Sequence, residues 1–192
     1  MSGTRSRILL TMARLIEKQG YHATGLNEII RESGAPKGSV YYYFPGGKEQ
    51  IGVEAIVESG RIIAERLEKV LDEENQPADA IHHFLMQMAD NVEVSHFGAG
   101  SPLTTASVET AVTSEPINKA CQEAFELIIS VFKQKFIDGG FSESQSTELA
   151  LYVTTVIEGG ILMSRTYHQA EPLRAAGRQL QAYLARPPRT GI

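Results

Sequence analysis

Three tyrosines in succession, Tyr41, Tyr42 and Tyr43, lie between two lysines in the stretch KGSVYYYFPGGKEQ, residues 37–50. Successive positions on a helix point about 100° apart, so three neighbouring rings cannot all enter one core. At least one phenol must face outward beside a lysine. Phenol hydroxyls and ammonium groups donate to phosphate oxygens, whereas Lys37 and the short hydroxyl of Ser39 can also reach a base edge. Gly38 leaves room for close backbone approach. This combination suits recognition in a DNA major groove better than bond-making chemistry.

The elements that must carry these residues are helical. Ile8, Leu9, Met12, Leu15 and Ile16 recur at three and four, with Gly20 where a helix would end. Thr24-Gly25 opens a second, short helix with Leu26, Ile29 and Ile30 inward, closed by Gly34. Pro36 suits the first position of a third helix, which Phe44-Pro45-Gly46-Gly47 breaks after about two turns. A helix, a tight turn with glycine and a second helix form the layout of a helix-turn-helix. Val40 and Phe44, four apart, then face the core, and Tyr41 is expected to be half buried with Tyr42 and Tyr43 exposed.

Beyond Lys48 the periodicity lengthens. Ile51 to Leu71 marks one long amphipathic helix, and further helices start at Pro77, Pro116, Ser142 and Pro172; residues 95–103 read as a loop and Arg186-Pro187-Pro188 as a frayed tail. No strand alternation of useful length appears. The expected fold is all-α with about nine helices: a helix-turn-helix domain over residues 1–48 and a larger helical domain over 49–192.

Charge follows the same division. The 192-residue chain has a net charge of −5, yet residues 1–48 hold seven Lys and Arg against three Glu. A basic head on an acidic body fits nucleic-acid contact at one end only. No signal peptide or membrane-length apolar run is evident, so a cytoplasmic location is expected. Cys121 is the only cysteine, which excludes an internal disulfide and reads as a small buried apolar residue. His82-His83 are adjacent rather than at metal-ligand spacing, so neither a metal nor another cofactor is expected. Phosphate-loop, Gly-x-Ser-x-Gly and His-Glu-x-x-His motifs are absent, which argues against an enzyme.

The stretch GYHATGLNEIIRESGAPKGSVYYYFPGGKEQI resembles the DNA-binding domain of the TetR family of bacterial transcriptional regulators. The likeness covers about residues 5–55. It rests on the Gly-aromatic start, the Ile-x-x-x-x-Gly helix end, the Lys-Gly-x-apolar-Tyr-x-x-Phe run and the following Lys-Glu. It implies that Lys37, Gly38 and Ser39 meet bases, and that Thr24, Tyr41, Tyr42, Tyr43 and Lys48 hold phosphates. Two departures stand out. Gly25 replaces the usual second hydroxyl residue, which weakens that helix cap, and Pro45-Gly46-Gly47 is one residue longer than the common spacing before Lys48. The loop FPGGKE with GAPKGS and SPLTTASVET is similar to the branch that contains repressors of lincomycin-resistance and quercetin-dioxygenase genes. Flavonoids are effectors for part of that branch.

The resemblance also implies that residues 49–192 form a helical effector-binding and dimerisation domain. There, Phe84, Met88, Phe97, Leu103, Phe125, Ile128, Phe132, Ile157 and Met163 are candidate contacts to an apolar or aromatic effector, with His83 or His96 as a polar anchor. Gly159-Gly160 within a helix costs about 1 kcal/mol per glycine relative to alanine. Close approach across a two-fold axis would offset it. The candidate dimer residues are Val153, Val156, Gly159, Gly160, Leu180 and Leu184. The expected partners are operator DNA, a small-molecule effector and a second copy of the chain. The alternative is an all-α small-molecule- or protein-binding module whose helix-turn-helix is only structural.

Overall fold

A computed structural model describes residues 3–98 and 100–185; the expectation for Arg186-Pro187-Pro188 lies outside them. Nine α-helices and no strand occur among the described residues. They pack as two compact units, one of Met1–Ile62 with Ser101–Glu126, the other of Ile63–Gly100 with Leu127–Ile192. The expected boundary after Lys48 falls in the first turn of a helix, and residues 101–126 pack with the helix-turn-helix rather than with the remainder.

In the first unit, α1 (Thr4–Gln19) buries Ile8, Leu9, Met12, Leu15 and Ile16 along one side. It ends at Gly20, whose φ of +91° suits a residue without Cβ. Helix α2 (Leu26–Ser33) starts at Gly25 with no side-chain cap, as expected, and stops at Gly34 in the left-handed region. Pro36 is the residue before α3 (Lys37–Tyr43), one position earlier than expected. Seven residues are too few to persist as an isolated helix. What keeps α3 folded is Val40 and Phe44, 1% and 0% exposed. A turn follows in which the Gly47 N–H donates to the Phe44 carbonyl (2.9 Å). The Gly46 N–H donates to Gln50 Oε1 (2.8 Å), and α4 (Gly47–Asp72) begins there.

Residues 102–110, assigned to no element from the sequence beyond the loop ending at 103, form α6 (Pro102–Thr110). Ser101 caps it by accepting from the Thr104 N–H (3.4 Å). Helix α6 packs against α1. Helix α7 (Glu115–Asp138) begins in this unit and continues into the other, as α4 does. Cys121 is buried as expected, its Sγ 3.8 Å from the Leu103 carbonyl, and burial pushes its thiol up to about 11.

In the second unit, α5 (Pro77–Val94) and α8 (Glu143–Tyr167) both pack on α9 (Glu171–Leu184). Ser142 and Gln145 form a reciprocal capping box at the start of α8. Arg174 of α9 reaches Glu93 (2.7 Å) and Asp90 (2.9 Å) of α5. Its hydrogen bonds hold the Glu93 carboxyl below the usual carboxylate range.

The burial pattern of α3 yields a direct contrast. Phe44→Ala should cost about 3–5 kcal/mol in chemical denaturation. Tyr42→Ala, two residues earlier, should stay within about 0.5 kcal/mol of wild type. Comparable losses in both would show that the tyrosine row is structural.

Candidate nucleic-acid interface

The anchoring of Val40 and Phe44 determines where the rest of α3 points. Pro36, Lys37, Gly38 and the three tyrosines are exposed and Ser39 is half-buried. Tyr42 stands furthest out at 81% exposure, with Tyr41 at 47% and Tyr43 at 38%. The order differs from expectation, since Tyr43 rather than Tyr41 is the most covered. The reason is ring packing: Tyr43 meets Tyr42 edge-to-face at 5.2 Å and Phe44 at 6.4 Å. Lys37 leans toward the Tyr41 ring, 6.0 Å from its centroid. The α3 residues expected to reach bases and phosphates thus share one largely exposed face.

Glycine 38 has no packing reason to be glycine. A Cβ built there meets nothing within 4 Å, and its φ lies outside the positive range. Glycine within a helix is about 0.5–1 kcal/mol worse than alanine, and here nothing inside the protein offsets that loss.

Thr24 and Lys48 sit differently from the phosphate-holding residues that the resemblance implied. Thr24 is buried, and its hydroxyl already donates to the Gly20 carbonyl at 2.7 Å. A buried, spent donor offers a phosphate no proton; its evident work is to close the turn between α1 and α2. Lys48 lies over the Tyr21 ring, 4.3 Å from its centroid, with Nζ 3.4 Å from the His22 carbonyl. Burial lowers its pKa, partly offset by the Glu109 carboxylate.

Sequence reasoning passed over the start of α1. Arg5 places its guanidinium 5.6 Å from the Phe44 ring centroid, next to the end of α3, and pairs with Glu54. Arg7 is exposed one turn from Thr4. The available signal was the excess of arginine in the first quarter. Arg14 and Arg31, counted in that excess, are held by Glu32 at 3.1 and 3.3 Å.

Residues 8–55 match the model for bacterial regulatory proteins of the tetR family. Residues 77–179 match that for the C-terminal domain of LmrA/YxaF-like transcriptional regulators. The chain belongs to the TetR family. It is a helix-turn-helix, DNA-binding transcriptional regulator of the LmrA/YxaF-like kind. It is 41% identical over 170 residues to the HTH-type transcriptional regulator LmrA of Bacillus subtilis, covering 88% of this chain and 90% of that protein. It is 38% identical over 177 residues to YxaF of the same organism, covering 92% and 93%. Among solved structures, the reduced form of E. coli NemR superposes with a TM-score of 0.80 at 25% identity, over 97% of this chain and all of that one. A TetR regulatory protein from Rhodobacter sphaeroides, 20% identical, shares the fold with a TM-score of 0.84 over 96% of this chain and 100% of that one.

The TetR body residues expected to meet an effector fall into two sets. Leu103 and Phe125 belong to the first unit; Phe84, Met88, Phe97, Ile128, Phe132, Ile157 and Met163 belong to the second. There, Phe84 and Phe132 pack edge-to-face at 6.1 Å, and Phe97 packs on His168 at 5.4 Å. Met163 is 42% exposed beside Leu162, so it faces away from the interior. Neither expected histidine anchor is a buried polar atom awaiting a partner. His83 Nε2 contacts Gln87 (2.9 Å) and His96 is exposed, whereas His82 Nδ1 is buried without a hydrogen-bond partner.

The expected dimer residues also divide. Val153, Gly160, Leu180 and Leu184 are buried in the protomer's own core, where a Cβ on Gly160 would meet Leu173 Cδ2 at 2.8 Å. Apolar periodicity marked the inward face of α8 and α9 instead of the outward one. Val156 is half-buried and Gly159 exposed.

The position of Thr24 generates a test. Thr24→Val should lower stability by about 1 kcal/mol through the lost hydrogen bond, with the affinity of the folded protein for DNA unchanged. A phosphate contact from this uncharged hydroxyl would instead weaken binding to all sequences alike.

Proposed function

We propose that the protein is a homodimeric repressor, released from its operator by a small apolar or aromatic effector, and that it works in the cytoplasm. No helix among the described residues is long and apolar enough to cross a membrane. Residues 1–48 supply the DNA-contacting part, and 49–192 the effector-binding and dimerisation part. Lys37, Gly38 and Ser39 read bases; Tyr41, Tyr42 and Tyr43 hold phosphates, with Arg5, Arg7 and Lys48 adding positive potential around them.

The observation that carries the DNA reading is Gly38, an exposed helical glycine around which the protein leaves open space. A groove wall pressed against the helix explains the missing methyl. Gly38→Ala should therefore raise the stability of the free protein by about 0.5–1 kcal/mol. It should also weaken operator binding roughly ten-fold or more, measured by fluorescence anisotropy on DNA from upstream of its own gene. Unchanged operator affinity would remove α3 from the interface.

The same reasoning supports the dimer. Gly159 is exposed in α8 with nothing within 4 Å of a built Cβ. It lies in a stripe with Leu151 (58% exposed), Thr155 and Leu162 (63%), flanked by Tyr152, which packs edge-to-face on Tyr183 of α9 at 6.1 Å. Spacing of four, four and three residues keeps these on one face. A second copy of that face is the occupant that fits an isologous two-fold contact. Gly159→Leu should leave protomer folding intact and shift the molecule to a monomer in sedimentation equilibrium; a persisting dimer would move the interface elsewhere.

Phe84, Met88, Phe97, Phe132 and Ile157 are the proposed effector contacts. They lie in the second unit and offer aromatic edges and an adaptable thioether. Effector binding favours a protomer arrangement unsuited to the operator and so shifts the population off DNA.

A further inference from the structure

Residues 109–114, at the end of α6 and just after it, grip the turn between α1 and α2 and the first turn of α4. The Glu109 carboxylate accepts from the His22 N–H at 3.0 Å. The His22 ring completes a second link, with Nε2 3.2 Å from both the Glu109 carbonyl and Thr113 Oγ1. Thr113 in turn donates to the Glu109 carbonyl at 3.1 Å. Ser114 donates to Glu49 at 2.8 Å, which adds α4 to the same grip.

Gly20 belongs to this arrangement. A Cβ there would lie 1.9 Å from Glu109 Oε1, so the carboxylate occupies the space that the missing side chain leaves. Lys48 supplies the countercharge: its Nζ is 3.4 Å from the His22 carbonyl, and its ammonium interacts favourably with the Glu109 carboxylate. The turn thus presents its His22 N–H to the carboxylate and its His22 carbonyl to the ammonium. This same turn leads through Thr24 into α2, and from α2 into α3.

We infer that Glu109 is a positioning residue for DNA binding: by fixing the His22 turn against α6, it sets where α2 and the base-reading helix α3 stand. It touches no DNA itself. The inference rests on the reading of α3 as the operator-contacting helix. A charge-assisted hydrogen bond to a backbone N–H is among the stronger single polar contacts, so its loss is expected to be felt at the operator.

The test uses the full-length wild type, Glu109→Ala and Glu109→Gln. Operator affinity is measured across salt concentrations and His22 amide hydrogen exchange is measured on the same proteins. Glu109→Ala should bind the operator roughly ten-fold more weakly, a step taken from the range for charged hydrogen bonds. Its salt slope should match wild type, because no phosphate contact is removed, and its His22 amide should exchange faster. Glu109→Gln keeps a carbonyl acceptor and should recover most of the affinity and protection. The inference is overturned if Glu109→Ala binds as well as wild type or better, if it binds more weakly while His22 exchange is unchanged, if its salt slope drops, or if glutamine restores nothing. Wild-type protein that fails to bind the operator would count against the DNA reading itself, which keeps the two failures distinct.

Discussion

The burial of Val40 and Phe44 is the constraint on which the interface depends. Helix α3 has seven residues, fewer than an isolated helix needs to survive in water, and it exists because two side chains four positions apart enter the head's core. Once those two point inward, geometry leaves Lys37, Gly38, Tyr41 and Tyr42 no direction but outward. The protein thus holds a cluster of aromatic and cationic groups in solvent at no cost to its core. A hydrophobic anchor on one side of a short helix converts directly into a binding surface on the other.

Two glycines then show where partners are expected. Gly38 in α3 and Gly159 in α8 are exposed helical glycines with open space around them, whereas Gly160 is pressed against Leu173 and Gly20 turns the chain at positive φ against Glu109. The first pair is unexplained by the protomer; the second pair is fully explained by it. That distinction matters because all four look alike in one dimension. It separates glycines that the fold itself requires from those that it does not.

The sequence made the helix-turn-helix and most helix starts legible, because the apolar spacing in α1, the glycines at 20 and 34, and the prolines at 36, 77 and 172 act within a few residues of where they stand. What it hid depended on contacts far along the chain. Thr24 looked like a phosphate donor, but its hydroxyl is spent on Gly20. Val153 and Leu184 looked like interface residues, but face their own core. Apolar periodicity identifies a buried face without stating whether that face is buried by the same chain or by another. Helix α6 was equally obscure, since its alternating Thr, Ser and Ala carry little periodic signal and it is anchored by α1, about ninety residues away in sequence.

The central claim is that the exposed face of α3 binds duplex DNA through phosphate as well as base contacts. It is tested most directly by titrating the wild-type protein against DNA from upstream of its own gene at a series of salt concentrations. A specific complex should form, with log K falling linearly against log salt by about 0.9 for each phosphate neutralised. A chain that shows no specific shift, or an affinity indifferent to salt, would contradict the account.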